Sequence, residues 1–215
     1  MAETGTRTPR ERYRTQVRAE IKQHAWEQIA TTGASALSLN AIAKQMGMSG
    51  PALYRYYAGR DELITELVRD AYQSLADTLR SAADAGAGLA ELAHTLRAWA
   101  LEDPQRYLLI YGTPVPGYDA PDDITRISAE TMAVLLDACA ALPADRPETA
   151  FDAHLADHRD WAGDHPAQPA ALCRALTFWT RLHGVLSLEL AGHFTGMGFD
   201  AAQLFDAELD ALLSP

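Results

Sequence analysis

Residues 38–63, SLNAIAKQMGMSGPALYRYYAGRDEL, constrain the fold more than any other part of the chain. Ile42, Ala43 and Met46 repeat at helical spacing behind a capping serine, Ser38, and Gly47 stops the run. A second start follows at Ser49, with Pro51 in the first turn, where helix amides have no intrahelical partner. Leu53 and Tyr57 then form an inner face, which predicts a helix to about residue 57. Two short helices joined by a turn containing glycine make a helix-turn-helix.

Helical periodicity continues on both sides. Val17, Ile21, Ala25 and Ile29 predict a helix over 10–32, closed by Gly33. Leu63, Ile64, Leu67, Val68, Ala71, Leu75 and Leu79 stripe another over 61–83, and Leu89, Leu92, Leu96 and Trp99 carry the next. Asp103 and Pro104 read as a cap and a first-turn proline for a short helix to about 111, before the turn-rich GTPVPGYDAP. Further helices are expected over 121–142, around 148–161, over the apolar run 170–194, and in DAAQLFDAELDALL. Alanine and leucine dominate, and no convincing strand or repeat appears. The expected fold is all-α, with a small helix-turn-helix domain over 1–62 and a larger helical domain over 63–215.

Charge divides the chain in the same way. Residues 1–60 hold nine Lys/Arg against four Asp/Glu, a balance of +5, whereas residues 61–215 carry -16, giving the net -11. Such asymmetry suits an end that meets a polyanion, although a solvated charged face has the same composition. Arg10, Arg12 and Arg14, read as a flexible start, could follow a nucleic-acid backbone. No apolar run reaches the ~20 residues that a membrane span requires, and the polar start does not read as a signal sequence, so a cytoplasmic location is expected. Cys139 and Cys173 fall in apolar helical patterns and read as buried thiols.

In a helix-turn-helix the second helix lies in the major groove with its first residues at the base edges. The small residues Ser49, Gly50, Pro51 and Ala52 would let the backbone come close, and Pro51 and Ala52 can offer only apolar contact to thymine methyl groups. Tyr54 and Tyr56 fall on outer faces, where a phenol can donate to a phosphate oxygen while its ring packs on sugar. Lys44 and Arg60 extend that basic edge.

Through Gly33, LNAIAKQMGMS, LYRYY and RDEL, residues 11–63 resemble the DNA-binding domain of the TetR family of transcriptional regulators. The resemblance implies that Ser38, Tyr54, Tyr56 and Arg60 bind phosphates of double-stranded operator DNA, and that Asn40, Ser49, Gly50, Pro51 and Ala52 lie near base edges. The chain departs from the family pattern at Ala52, where threonine is frequent, at Tyr56 (histidine), Ala58 (proline) and Arg60 (lysine); the first change removes a hydroxyl contact. YLLIYGTPVPGYDAP together with WTRLHGVLSLEL is similar to an actinobacterial-type subgroup with a Trp, His-Gly signature. The family further implies a homodimer built from the last two helices and a small-molecule effector, with no enzymatic activity and no cofactor.

The residues themselves supply candidates for these roles. Gly184, Ser187 and Ala191 form a small-residue seam for a second copy, and Leu204, Phe205 and Leu209 line one side of the final helix. Trp99, Tyr107, Tyr111, Met132, Phe178, Trp179 and His183 are the pocket candidates, although aromatic residues at helical spacing fill bundle cores first. Glu189 reads as a partner for an arginine across the dimer or for a ligand cation. His154, His158, Asp157 and His165 have spacings that could hold a metal, but the sequence lacks the glutamate of HExxH, and polar surface histidines are common. The leading expectation is a dimeric repressor released by a ligand. Its alternatives are a DNA-binding regulator without a small-molecule inducer and a metal-assisted hydrolase.

Overall fold

The computed structural model describes residues 8–112, 114–143 and 146–214. Among them are ten α-helices and no strand: α1 (Pro9–Thr32), α2 (Leu39–Gln45), α3 (Gly50–Leu53), α4 (Arg60–Asp84), α5 (Leu89–Glu102), α6 (Pro104–Tyr111), α7 (Asp122–Ala140), α8 (Ala150–Asp157), α9 (Pro169–Leu190) and α10 (Ala201–Leu213). The chain forms two compact units. One runs to Val68 and includes Pro114–Asp119; the other comprises Arg69–Thr113 and Ala120–Pro215. The division falls within α4.

In the first unit, α1 opens with a capping box. The Thr8 hydroxyl accepts from the Glu11 amide at 3.3 Å, and the Thr8 amide donates to Glu11 Oε2 at 2.7 Å. Arg10, Arg12 and Arg14, expected on a flexible start, are instead exposed in the first turns of this helix. The predicted stripe Val17, Ile21, Ala25 and Ile29 is buried, as are Ile42, Ala43, Leu53, Tyr57, Leu63 and Ile64. Gly47, at φ 64°, turns the chain between α2 and α3 in a conformation that a side chain resists.

The second short helix ends earlier than its periodicity predicts. After Leu53 the bonds from Arg55 to Ala52 and from Tyr56 to Leu53 span three residues, so the chain tightens into a turn at Tyr54–Tyr56, with the Tyr57 amide also reaching the Leu53 carbonyl at 3.3 Å. Tyr57 still reaches the core.

In the second unit, α9 is the central element and packs against α5, α6, α7, α8 and α10. Its Leu172, Ala175, Phe178, Leu182 and Leu186 are buried. The helix stops at Leu190 rather than near 194, because Gly192 takes φ 78° and the His193 amide returns to the Leu188 carbonyl. This is the glycine-terminated ending that satisfies the last carbonyls. Asp103 caps α6 as expected, accepting from the Arg106 amide at 3.1 Å.

The polar stretch before α9 is organised by Asp152 on α8. Its buried carboxylate accepts from both Arg146 guanidinium nitrogens at 2.6 and 2.7 Å, and from the Thr149 amide and hydroxyl at 2.7 Å each. The Arg146 hydrogen bonds, followed by those from Thr149, outweigh desolvation and hold the carboxyl well below the usual range. A carboxylate with a lowered folded-state pKa binds fewer protons folded than unfolded. Its contribution is therefore fully present above the unfolded pKa of about 3.9 and is lost as pH falls toward the folded value. Asp152→Asn should lower the urea midpoint at pH 7, and its deficit relative to wild type should shrink as pH falls from 4 to 2. A deficit independent of pH would count against this assignment.

Candidate nucleic-acid interface and effector region

Ser38 has the capping geometry expected of it: its hydroxyl accepts from the Ala41 amide at 3.3 Å. The Gln28 side chain brackets the same residue, accepting from the Ser38 amide at 3.0 Å, and so ties α1 to the start of α2. Asn40 and Lys44 are exposed on α2. A Cβ on Gly50 would sit 3.4 Å from Asn40 Oδ1, an ordinary van der Waals contact between the start of α3 and α2. Ser49 occupies the N-cap position, but its side chain makes no capping bond. Pro51 is exposed and Ala52 half-buried; Tyr54 is 48 % exposed and Tyr56 half-buried.

Two basic residues hold this surface from behind. Arg18 Nη1 donates to the Tyr56 carbonyl at 3.1 Å, Nη2 pairs with Glu66, and the guanidinium lies 4.4 Å from the centre of the Tyr57 ring. Lys22 approaches the same carboxylate at 3.4 Å. Burial opposes the charge on Glu66, but the Arg18 hydrogen bond and the nearby cations outweigh it and lower the pKa. These residues were not sequence candidates; the available signal was two cations one helical turn apart beside the α1 stripe. Arg60, expected on the phosphate edge, donates through Nη2 to the carbonyls of Ala34 and Ser35 at 3.0 and 3.1 Å. In the free chain it braces α4 against the turn after α1.

Four of the seven pocket candidates converge in the second unit. His183 lies between Trp179 and Tyr111, with ring centres 4.0 and 4.4 Å away, and stacks on Tyr107 at 5.6 Å. The Tyr107 hydroxyl reaches His183 Nδ1 at 2.8 Å and Ser187 Oγ at 3.0 Å. Tyr72, which the sequence did not single out, meets Tyr111 edge-on at 5.9 Å. The other three are elsewhere in the packing. Trp99 donates to Ser74 Oγ at 3.1 Å with Arg106 over its ring, Phe178 is a fully buried core residue, and Met132 packs half-buried on the core. An open groove of about 440 Å³ lies apart from these rings, lined by Leu142, Thr149, Cys173, Thr177 and Leu212 among others.

The expected dimer residues divide. Gly184 and Ala191 are exposed, as is Leu188, and no atom lies within 4 Å of where a Gly184 Cβ would stand, apart from its own helix backbone and chain neighbours. Leu204 is half-buried. Phe205 and Leu209, however, are 0 % and 3 % exposed within the single chain, so they belong to its own core rather than to a surface for a second copy. Glu189 likewise pairs within the chain, with Arg97 at 2.7 Å, not across a dimer. Cys139 is buried and Cys173 half-buried, both as free thiols. His154 and His158 stack at 4.0 Å, whereas His165 faces Asp137 at 3.1 Å; among the described residues no three ligating groups come together.

Residues 21–67 match the model of bacterial regulatory proteins of the tetR family, and residues 89–212 match that of the tetracyclin repressor-like C-terminal domain. The chain is 34 % identical over 217 residues to the HTH-type transcriptional regulators Rv1816 of Mycobacterium tuberculosis and Mb1846 of Mycobacterium bovis, covering 94 % of this chain and 92 % of theirs. The crystal structure of SCO4313, a candidate regulatory protein, is 76 % identical, with a TM-score of 0.90 over 97 % of this chain and 100 % of that one. A Rhodococcus protein of unknown function shares the fold at 19 % identity, with a TM-score of 0.66 over 99 % of this chain and 97 % of its own.

Burial pushes the His183 imidazole down to about 3, so the folded chain carries it uncharged. An unfolded histidine takes up a proton near pH ~6.5, and between these values the unfolded state binds more protons. Stability from this residue is therefore full above pH ~6.5 and declines as pH falls toward 3. Wild type should lose more stability than His183→Phe between pH 7 and 4, as measured by urea midpoints. Parallel slopes would show that His183 is not held neutral.

Proposed function

The chain belongs to the TetR family of DNA-binding transcriptional regulators, and from that premise we propose that it acts as a homodimeric repressor released from its operator by a small molecule. The observation that carries the dimer is Gly184. A glycine inside a helix costs about 1 kcal/mol relative to alanine, and here nothing packed in the chain's own structure offsets that cost. A second helix crossing closely at Gly184, with Leu188 and Ala191 on the same exposed face, supplies the reason. Dimerisation there would give two recognition modules, matching half-sites about 34 Å apart along DNA.

On this reading residues 1–62 hold the DNA. Asn40, Ser49, Gly50, Pro51 and Ala52 approach base edges, while Ser38, Lys44, Tyr54 and Tyr56 meet phosphates. Arg60 contributes by bracing the module, and any phosphate contact would use the guanidinium edge that its carbonyl partners leave. Residues 63–215 provide the dimer surface and the effector region around His183. A ligand that binds better to a conformation with mis-spaced recognition helices weakens operator binding by that difference in affinity.

Footprinting on genomic DNA followed by titration with cell metabolites tests the whole reading, because operator binding that no metabolite alters would remove the effector. Lys44→Ala should weaken binding to all sequences and reduce the salt slope of log affinity by about 1, and Tyr54→Phe should weaken binding without changing which sequence is preferred. Gly184→Leu should shift the protein toward monomer in sedimentation. A wild-type dimer in that variant would move the interface elsewhere.

A further inference from the structure

Of the polar side-chain atoms in the second unit that are covered without a protein partner, two sit on neighbouring rings. His183 is 9 % exposed and its Nε2 has no hydrogen-bond partner; the Tyr111 hydroxyl is equally covered and unpaired. Their ring centres are 4.4 Å apart, and Trp179 lies against both, 4.0 Å from His183 and 5.5 Å from Tyr111. A core that needed only volume would be better served by phenylalanine or leucine, since neither covered atom has a protein hydrogen-bond partner.

Which proton His183 presents follows from the direction assigned to one hydrogen bond. We assign the Tyr107 hydroxyl as donor to His183 Nδ1, the nearer of its two side-chain partners at 2.8 Å, and Ser187 Oγ, at 3.0 Å, as donor back to the phenol oxygen. An imidazole that accepts at Nδ1 and is uncharged carries its hydrogen on Nε2. The unpaired atom is thus a donor. Beside it, the Tyr111 hydroxyl can donate or accept. The groups acting electrostatically on Tyr111 are other tyrosines, and His183 is governed by burial alone.

We propose that the cluster of Tyr107, Tyr111, Trp179 and His183 recognises an uncharged aromatic effector bearing a carbonyl or ether oxygen, which accepts from His183 Nε2–H while its ring lies against Trp179 and Tyr111. This rests on the ligand-responsive reading above and gives that effector its chemical class. A carboxylate would lose its hydration without meeting a cation, and a hydrocarbon would leave Nε2–H unpaired. Because the two polar atoms are covered in the free chain, the ligand must part the rings to enter. That displacement is a source of the unequal affinity for two conformations on which release from DNA depends.

Three probes on one skeleton test the assignment with the full-length protein: 2-acetylnaphthalene, 2-isopropylnaphthalene and 2-naphthoate, followed by tryptophan fluorescence and calorimetry. The ketone should bind about tenfold more tightly than either of the others, the fold-change expected for one buried hydrogen bond. His183→Phe should leave hydrocarbon binding in place and reduce the ketone preference to less than about twofold. Should that variant fail to fold by circular dichroism, Tyr107→Phe, which frees the tautomer, should reduce the same preference. Naphthoate binding as tightly as the ketone, a ketone preference that survives the substitution, or no binding of any probe would overturn the proposal. Operator binding measured in parallel separates the two readings. Ketone bound without DNA release leaves the site and removes the repressor mechanism, whereas metabolite-induced release unchanged by His183→Phe does the reverse.

Discussion

The ion pair between Arg18 and Glu66 fixes the geometry of the DNA-facing unit. Glu66 belongs to α4, Arg18 to α1, and the same guanidinium holds the Tyr56 carbonyl while covering the Tyr57 ring. One side chain therefore connects two long helices to the turn that follows the recognition helix. Partly buried pairs add little net stability, since desolvation offsets most of the attraction, but removing one partner leaves a charge poorly solvated. Their value here is positional. A recognition helix of only four residues has too few hydrogen bonds to orient itself, and its direction depends on what grips the turn after it.

The same division between apolar filling and polar placement recurs in the second unit. Leu172, Phe178, Leu182 and Leu186 fill the space around α9, and their burial is non-directional. Tyr107, His183 and Ser187 supply direction, because hydrogen bonds between a phenol, an imidazole and a hydroxyl are satisfied in few arrangements. Arg97 and Glu189 form a second fixed link, and Glu189 Oε2 is covered without a partner.

What the sequence disclosed follows from which interactions are local. Helix positions, the Ser38 and Asp103 caps and the inward turn of Tyr57 all depend on residues within one or two turns, so spacing alone reveals them. The pairing of Glu189 with Arg97 joins residues 92 positions apart, and no local pattern selects it over a partner in another chain. Arg60 shows the same limit: its charge was legible, but its direction toward Ala34 and Ser35 was not. The early end of α3 was hidden because a tight turn keeps Tyr57 inward just as another α-turn would. Of the candidate site, the aromatic cluster was visible as residue types, and its hydrogen-bond order was not.

Phe205 and Leu209 show why an interface is harder to read than a core. Apolar residues on one face of α10 satisfy either role, and sequence patterning cannot rank them. Burial within the chain assigns both to the core, so the dimer we propose would have to use what is left exposed. That remainder includes Gly184, Leu188 and Ala191, near the exposed end of α9. Gly184 is informative because it departs from local preference. A glycine that loosens a helix without relieving a crowded neighbour, at a position open to solvent, is the observation that supports the proposed approach of a second chain.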